Sequence, residues 1–179
     1  ALFGDDVETE SLKQIVFETL NFDVPLVSVE NNIYSLELFH GPTLAFKDVG
    51  ARFMSRLLGY FIKKQGLKDV NVLVATSGDT GSAVANGFLG VEGIKVFVLY
   101  PKDKVSKIQE CQFTTLGKNI TALEIDGTFD DCQRLVKTAF TDEDLRKQLI
   151  KDNQLTSFRF TQIKEKYNRM ECYNNGCTE

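Results

Sequence analysis

Before Gly66, two stretches of the chain carry hydrophobic side chains at the spacing of an α-helix. The first runs from Glu8 to Leu20 and the second from Ala45 to Lys64. Apolar residues three or four positions apart form one face of a helix, so both stretches are predicted to be amphipathic helices. Between them, Ile33–Phe39 alternates well enough to predict a strand, and His40-Gly41-Pro42 predicts a turn.

After Gly66 the pattern changes to continuous apolar runs that alternate with helical segments. The runs Val70–Thr76 and Ile94–Pro101 are typical of strands buried on both faces, and Ile120–Asp126 is predicted to be a third strand. The helices are predicted over Ser82–Gly90, Val105–Gly117 and Thr128–Phe140, with helix continuing to Ile150 and with Thr128 as a helix N-cap. This alternation predicts βαβ units, and hence an α/β fold with a parallel sheet in an α/β/α layer arrangement.

Composition and charge exclude several classes of function. The formal net charge is −4 and the isoelectric point is near 5.2, which argues against a nucleic-acid or anionic-membrane surface. No apolar run approaches the roughly 20 residues of a membrane-spanning helix. The four cysteines form no CxxC pair and the chain has one histidine, so no metal site is expected. Free thiols of this kind favour a reducing, cytoplasmic location.

The segment Ser77-Gly78-Asp79-Thr80-Gly81 joins the first buried strand to the following helix. Open α/β sheets bind ligands at this position, and small residues let the backbone approach an anion. Free N–H groups at the helix start favour a carboxylate or phosphate, and Ser77, Thr80 and Ser82 add hydroxyl donors. We expect Gly78, Thr80 and Gly81 to line a concave surface with their backbone N–H groups free for an anion. The sequence alone leaves open a plain strand–helix turn in which Asp79 or Thr80 caps the helix.

Lys47 stands between Phe46 and Val49 in an apolar, turn-rich stretch. Its spacing alone favours a surface lysine whose stem covers apolar neighbours. The alternative is a partly desolvated amine that forms a Schiff base with a carbonyl ligand. His40, in the preceding turn, is expected to make a structural hydrogen bond.

Two further pairs of residues have less specific sequence signals. Asp48 and Asp79 are a conceivable carboxylate pair, although nothing in the sequence places them together. Cys111 and Cys132 lie on apolar helix faces and are expected to be buried, inert thiols.

Two motifs in the expected order carry a family resemblance. The segments "LFHGPTLAFKDVG" (Leu38–Gly50) and "ATSGDTGSAVANGF" (Ala75–Phe88) resemble threonine synthases, which are pyridoxal-phosphate (PLP) enzymes of the tryptophan-synthase-β fold type. The segments Val96–Gly117 and "IDGTFDDCQ" (Ile125–Gln133) are similar to the same family. The resemblance extends from about the first helix to about Ser157.

The resemblance implies a specific reaction and a specific set of residues. Lys47 matches the lysine that carries PLP and acts as a general base, with Phe46 and Asp79 beside the cofactor. The residues implied in substrate binding are Ser77, Gly78, Thr80, Gly81 and Ser82. The implied reaction is that of a PLP-dependent lyase, which converts O-phospho-L-homoserine and water into L-threonine and phosphate. Alternatives are a related serine or threonine dehydratase, or a non-catalytic binding or interaction remnant of the same fold.

The resemblance also divides the chain and predicts its limits. Residues 1–66 match part of a large PLP domain, residues 67–157 a small substrate-loop subdomain, and residues 158–179 an irregular tail of doubtful membership. Relatives continue after Leu155–Ser157 with Asn-Ser and an arginine that bind the substrate phosphate, whereas this chain reads "LTSFRFTQIK". The resemblance also implies that the glycine-rich loop that binds the PLP phosphate lies further downstream in the family, beyond the residues of this chain. The implied conclusion is an incomplete, inactive fragment that does not retain PLP and self-associates through uncovered domain surface.

Overall fold

The computed structural model describes residues 3–67, 70–145 and 147. The helices and strands in chain order are α1 (Thr9–Thr19), β1 (Leu26–Glu30), β2 (Ile33–Leu36), α2 (Lys47–Gln65), β3 (Val70–Ala75), α3 (Asp79–Phe88), β4 (Ile94–Pro101), α4 (Lys107–Thr114), β5 (Ile120–Ile125) and α5 (Phe129–Thr141). The tail 158–179, the segment Leu155–Ser157 and the end of the predicted helix to Ile150 lie outside the described residues.

The three strands predicted after Gly66 form one parallel sheet in the order β3-β4-β5. Val72 lies opposite Val96, and Val98 lies opposite Ala122. Each strand is followed by a helix, so the βαβ units and the parallel α/β fold predicted from the sequence are confirmed. The structure begins α3 at Asp79 rather than at Ser82, which places the last three residues of the Ser77–Gly81 segment in the first helical turn.

One face of the sheet forms the main hydrophobic core. Alternate strand residues such as Val74 and Val98 cluster there with Phe88 of α3, Phe113 of α4 and Ile62 of α2. Two crossovers of the same hand and direction place α3 and α4 on the same face of the sheet. On the opposite face, α5 packs against β3 and β4, which completes the α/β/α layering.

Helices α2 and α3 approach each other closely at a glycine. A Cβ atom on Gly87 would lie 3.1 Å from the backbone carbonyl carbon and oxygen of Ala51. A side chain at Gly87 would therefore push the two helices apart. The contact joins α2, from the predicted first segment of the chain, to the core of the sheet. The proposed division at residue 66 stays a prediction.

Helix α1 is attached to α2 through a buried arginine. Arg52 donates from Nε to the carbonyl of Thr19 at 3.0 Å, and from Nη2 to the carbonyl of Glu18 at 2.7 Å and to Asn21 Oδ1 at 2.6 Å. The last carbonyls of a helix have no partner within the helix, and a cation there also interacts favourably with the helix dipole. Arg52 therefore fixes the carboxyl-terminal end of α1.

Strands β1 and β2 form an antiparallel hairpin, in which Leu26 lies opposite Leu36 and the register shifts between Ser28 and Glu30. The sequence pattern predicted β2 but not β1. Strand β1 follows Pro25 and has only five residues, so its identity as a strand comes from pairing with β2 rather than from its own pattern. Its five residues are all exposed.

The structure corrects the expectation for one cysteine and supports the other. Cys132 is buried on α5, and burial raises the pKa of its thiol. Cys111 is exposed on α4, so the expectation that it is buried is wrong. Within residues 3–67 and 70–145, no helix has the length and apolar character required to cross a membrane.

Candidate functional site

Lys47 is the first residue of α2, and the turn that precedes it closes around a buried carboxylate. Asp48 is 1% exposed and accepts hydrogen bonds from Thr43 N at 2.8 Å and from Thr43 Oγ1 at 2.6 Å. A Cβ atom on Gly41 would lie 2.6 Å from Asp48 Oδ2. Only glycine fits at position 41, and the closed turn fixes where α2 begins. We name residues 41–48 the lysine turn.

The Lys47 side chain is half-buried, and its amine lies 4.9 Å from the centroid of the Phe46 ring. Across the residues described by the structure, the Lys47 amine has no hydrogen bond and no ion pair. Phe46 is itself 61% exposed, so the pair stands at an accessible surface. A primary amine in this setting is free to react with a carbonyl group once it loses its proton.

The second part of the site follows β3 and is built around one hydroxyl group. Thr76 is 1% exposed, and its Oγ1 accepts from Gly78 N at 3.0 Å and from Gly81 N at 2.8 Å while it donates to Gly78 O at 3.0 Å. The sequence predicted free amides at Gly78 and Gly81. That part of the prediction is wrong, because both amides donate to Thr76.

Other amides of the same loop remain available. In the part of the chain that the structure describes, the backbone N–H groups of Ser77, Asp79 and Thr80 have no acceptor. Two of them belong to the first turn of α3, where the helix dipole favours an anion. Residues 76–82, which we name the glycine loop, therefore retain donors for a carboxylate or phosphate.

Ser82 differs from the other hydroxyl residues of the glycine loop. It is fully buried, and its Oγ lies 3.3 Å from the carbonyl oxygens of Gly78 and Gln109. This hydroxyl is used inside the protein, and its contact with a substrate stays a prediction. Ser77 is exposed and Thr80 half-buried, so both hydroxyls can reach a ligand.

Helix α4 connects the two parts of the site through two glutamines one turn apart. Gln109 donates from Nε2 to the Asp79 carboxylate, and Gln112 donates from Nε2 to the carbonyl of Thr43 at 3.3 Å. The first contact reaches the glycine loop and the second reaches the lysine turn. Asp48 and Asp79 have different partners, so the structure does not pair these two carboxylates.

The contacts between α2 and α3 place the lysine turn and the glycine loop at the same end of the molecule. Gly87 of α3 packs against Ala51 of α2, and Val91, three residues after the end of α3, lies 3.3 Å from the position that a Cβ atom on Gly59 would occupy. The contacts advance in the same direction along both segments, so the amino-terminal ends of α2 and α3 point the same way. That end is also the carboxyl edge of the parallel sheet, where open α/β folds bind ligands.

His40 has a structural role, as the sequence predicted. Its Nε2 lies 2.7 Å from Glu37 Oε2, and its ring lies 4.9 Å from that of Phe39. Reasoning from the sequence did not select Thr43, Thr76 or Gln109. Thr76 ends a predicted strand beside a glycine, which is a weak signal, and Gln109 has no local signal at all.

Comparison with known proteins agrees with this architecture. Residues 18–156 match the family model of the pyridoxal-phosphate dependent enzymes. The threonine synthase of Escherichia coli is 50% identical over 149 residues, which are 83% of this chain and 34% of that protein. The threonine synthase of Buchnera aphidicola from Acyrthosiphon pisum is 48% identical over 145 residues, covering 80% and 33%. This chain therefore spans about a third of the length of the curated relatives it matches.

Solved structures give the same result. The crystal structure of E. coli threonine synthase superposes with a TM-score of 0.72 at 51% identity, over 82% of this chain and 33% of that one. The structure of PLP-bound threonine synthase from Brucella melitensis gives a TM-score of 0.72 at 40% identity, over 78% and 31%. Because the family model covers most of the chain, the chain belongs to the pyridoxal-phosphate-dependent enzyme family, in the tryptophan-synthase-β-like fold that its threonine synthase relatives share.

Proposed function

We propose that this chain supplies the cofactor lysine and the substrate loop of a threonine synthase, which converts O-phospho-L-homoserine and water into L-threonine and phosphate. One observation carries the proposal. The Lys47 amine, which has no hydrogen bond or ion pair among the described residues, stands at the same end of the molecule as a strand–loop–helix junction whose backbone donors are free within that part of the chain. The names and identities of the relatives support the choice of reaction.

The chemistry of these groups fits PLP. Lys47 presents the primary amine that a PLP enzyme needs, and Phe46 beside it offers an exposed apolar ring to a flat aromatic ligand. When bound, PLP supplies an electron sink that makes carbanion chemistry accessible. The role of Lys47 is to hold the cofactor and, once displaced by the substrate amine, to move protons at its Nζ.

The glycine loop has the complementary role of holding the substrate. The amides of Ser77, Asp79 and Thr80 and the hydroxyls of Ser77 and Thr80 would face the substrate carboxylate. Gly78 and Gly81 shape this loop, since their amides bind Thr76 and their lack of a side chain permits the close packing. Gly81 in particular must be glycine, because a Cβ atom there would overlap the side chain of Thr76.

A chimeric enzyme tests this proposal directly. Residues 18–156 of this chain would replace the matching segment of the E. coli threonine synthase, and phosphate release from O-phospho-L-homoserine would be measured. We expect activity in the chimera, loss of activity in Lys47→Ala, and retention in Lys63→Ala, an exposed lysine at the other end of α2. A soluble chimera that releases phosphate without Lys47 would refute the assignment.

The isolated chain is expected to behave differently from the chimera. The isolated chain lacks the downstream loop that, by the family resemblance, binds the PLP phosphate. Charge-assisted hydrogen bonds to a phosphate contribute roughly 1.5–3 kcal/mol each, so the loss of two or three of them would weaken cofactor binding by several powers of ten. We therefore propose that the isolated chain is inactive and holds no stoichiometric PLP. Borohydride trapping followed by peptide mapping should still label Lys47 ahead of Lys63. A stable cofactor spectrum at micromolar PLP would contradict this expectation.

We also propose that the isolated chain self-associates through the β1–β2 hairpin. Leu26, Val29 and Ile33 are 65%, 67% and 55% exposed, and among the described residues each strand of the hairpin has one unpaired edge. Exposed apolar edge strands promote pairing between copies of a chain. Sedimentation velocity over a range of concentrations should show dimers or larger species, reduced by Val29→Lys. A monomer at all concentrations would refute the proposal.

A cytoplasmic location is proposed together with this function. Cys111 and Cys132 are free thiols in the described structure, and thiols stay reduced in the cytoplasm.

A further inference from the structure

Asp79 presents a problem for the proposed substrate loop. It is exposed and occupies the first position of α3, beside the free amides of Ser77 and Thr80. A carboxylate in the first turn of a helix is attracted by the unpaired amides and the dipole at that end, which are the features that would hold a substrate carboxylate. An unrestrained Asp79 would therefore compete with the substrate for these amides and would repel it by charge.

Gln109 occupies a position that removes this competition. Its Nε2 donates to the Asp79 carboxylate, which turns that carboxylate toward α4. The side-chain amide lies against Gly78, where a Cβ atom would be 2.7 Å from Oε1 and 2.8 Å from Nε2. The φ angle of Gly78 is 152°, so glycine is favoured there for the backbone as well as for the space.

The orientation of the Gln109 amide is fixed by its own neighbours. Ser106, the N-cap of α4, donates from Oγ to Gln109 Oε1 at 2.9 Å. The oxygen of the amide is thereby assigned to Ser106, which leaves the NH2 group for Asp79. The backbone of Gln109 is also held, since its carbonyl oxygen lies 3.3 Å from Ser82 Oγ.

We infer that Gln109 is a positioning residue for substrate binding, which acts by holding the Asp79 carboxylate away from the free amides of the glycine loop. This inference rests on the proposed function of that loop and extends it to a residue on another element. Gln109 itself does not touch the substrate. Its effect is to let an anion reach donors that Asp79 would otherwise occupy or shield.

A double-mutant cycle in the full chain tests the inference, with inorganic phosphate as the probe and the 15N–1H shifts of Ser77, Asp79 and Thr80 as the readout. We expect Gln109→Ala to weaken phosphate binding about tenfold, as a like charge placed within a few ångströms would do. The double variant Gln109→Ala/Asp79→Asn should regain the affinity of Asp79→Asn. The difference in phosphate affinity between the wild type and Gln109→Ala should shrink at high salt.

The control is Gln14→Ala, which removes an exposed glutamine of α1 whose side chain donates to Glu18 and to neither part of the site. It should bind phosphate like the wild type. If Gln109 had a merely structural role, Gln109→Ala would weaken phosphate binding and the added Asp79→Asn change would not restore it. This result would overturn the inference. Tighter binding by Gln109→Ala would also overturn it, since Gln109 would then be only a cover over the loop.

The failure of the inference can be distinguished from the failure of the proposed function. If the wild type and Asp79→Asn both bind phosphate at these amides while Gln109→Ala binds equally well, only the role of Gln109 is refuted. If no variant shifts these three amides, the anion-binding loop itself is refuted and the inference with it.

Discussion

The hairpin β1–β2 leaves its apolar side chains exposed, whereas the sheet β3-β4-β5 buries those of its central strand. Val96 and Val98 on the central strand of the sheet are 0% exposed, whereas Leu26 and Val29 on the hairpin are 65% and 67% exposed. Both regions are rich in apolar residues, and both form regular backbone pairing. The sheet buries its side chains against helices of the same chain, and the described part of this chain provides no equivalent cover for the hairpin.

The difference in burial indicates that the described chain supplies its own packing partners for the sheet but not for the hairpin. Exposed valines and leucines grouped on one hairpin are costly in water, and contiguous patches of this kind usually mark an interaction surface. The relatives are about three times as long as the matched segment, since it covers 34% of the E. coli enzyme. We propose that the hairpin packs against the remaining part in a complete enzyme.

The largest expected effect is loss of a side chain from the core of the sheet. Phe88 on α3 is 0% exposed, and Phe88→Ala should lower the free energy of unfolding by about 3–5 kcal/mol. The matched change on the hairpin, Tyr34→Ala, removes an aromatic ring that is 59% exposed and should cost no more than about 0.5 kcal/mol. Urea unfolding followed by circular dichroism measures both changes.

Phe88→Leu provides a softer variant in case Phe88→Ala does not fold. It retains part of the buried volume and should fall between Phe88→Ala and the wild type. Equal losses for the core and hairpin variants would mean that the hairpin is buried in solution, and the contrast between the two regions would be wrong.

The contrast also explains which elements the sequence could predict. Strands β3 and β4 are mostly buried or half-buried by their own chain, so their apolar runs predicted them. Strand β5 lies at the edge of the sheet and buries only Ile120, so its prediction came from its place in the alternation of strands and helices. Strand β1 depends on pairing with β2 and has exposed side chains, so its pattern carried no burial signal. The start of α3 was placed three residues late, because Asp79, Thr80 and Gly81 read as loop residues although they form the first helical turn.

The site was predictable only as far as local chemistry reaches. Lys47 and the glycine loop stood out through their neighbours in the sequence and the family resemblance. The contact of Gln109 with Asp79 joins residues 30 positions apart, and that of Gln112 with Thr43 joins residues 69 apart. Sequence spacing contains no information on such contacts, since they follow from how α4 packs beside the carboxyl edge of the sheet.

The next largest effect should come from Thr76, which links the buried sheet to the glycine loop. Thr76→Val preserves the shape but removes the oxygen that accepts from Gly78 N and Gly81 N. Buried donors left unpaired cost about 1–3 kcal/mol, so urea unfolding should show a loss in this range. Thr76→Ser keeps the oxygen and should lose less. Equal losses for the two variants would show that the methyl group, not the hydroxyl, supports the loop.

A smaller effect on stability should distinguish helix α5 from helix α1, which differ in how they begin. Helix α5 starts with a capping box in which Thr128 accepts from Asp131 N, whereas Glu8 at the start of α1 makes no side-chain cap. Thr128→Ala should lower stability by about 1 kcal/mol, and Thr128→Ser should restore it. Glu8→Ala should leave the unfolding midpoint almost unchanged. A larger loss from Glu8→Ala would show that α1 also has a local start signal in solution.

The smallest effect is a pH dependence from the same capping box. The pKa of Asp131 lies below its ordinary value because its carboxylate accepts from Thr128 N and Thr128 Oγ1, with a further contribution from Arg134 at 2.6 Å. A carboxyl group whose pKa is depressed by folding stabilises the protein above its unfolded pKa, near 3.9, and loses that contribution as the pH falls through its folded pKa.

The stability difference between the wild type and Asp131→Asn should therefore be constant from neutral pH to about pH 5 and should shrink below about pH 4. Asp130→Asn, next to it in the same exposed first turn, is the matched control, because its carboxylate makes none of these contacts in the described structure. Unfolding by urea at a series of pH values measures the two differences, and other acidic groups cancel because all three proteins share them. A difference for Asp131→Asn that persists unchanged at acid pH would show that the variant acts through helix propensity or packing rather than through its charge.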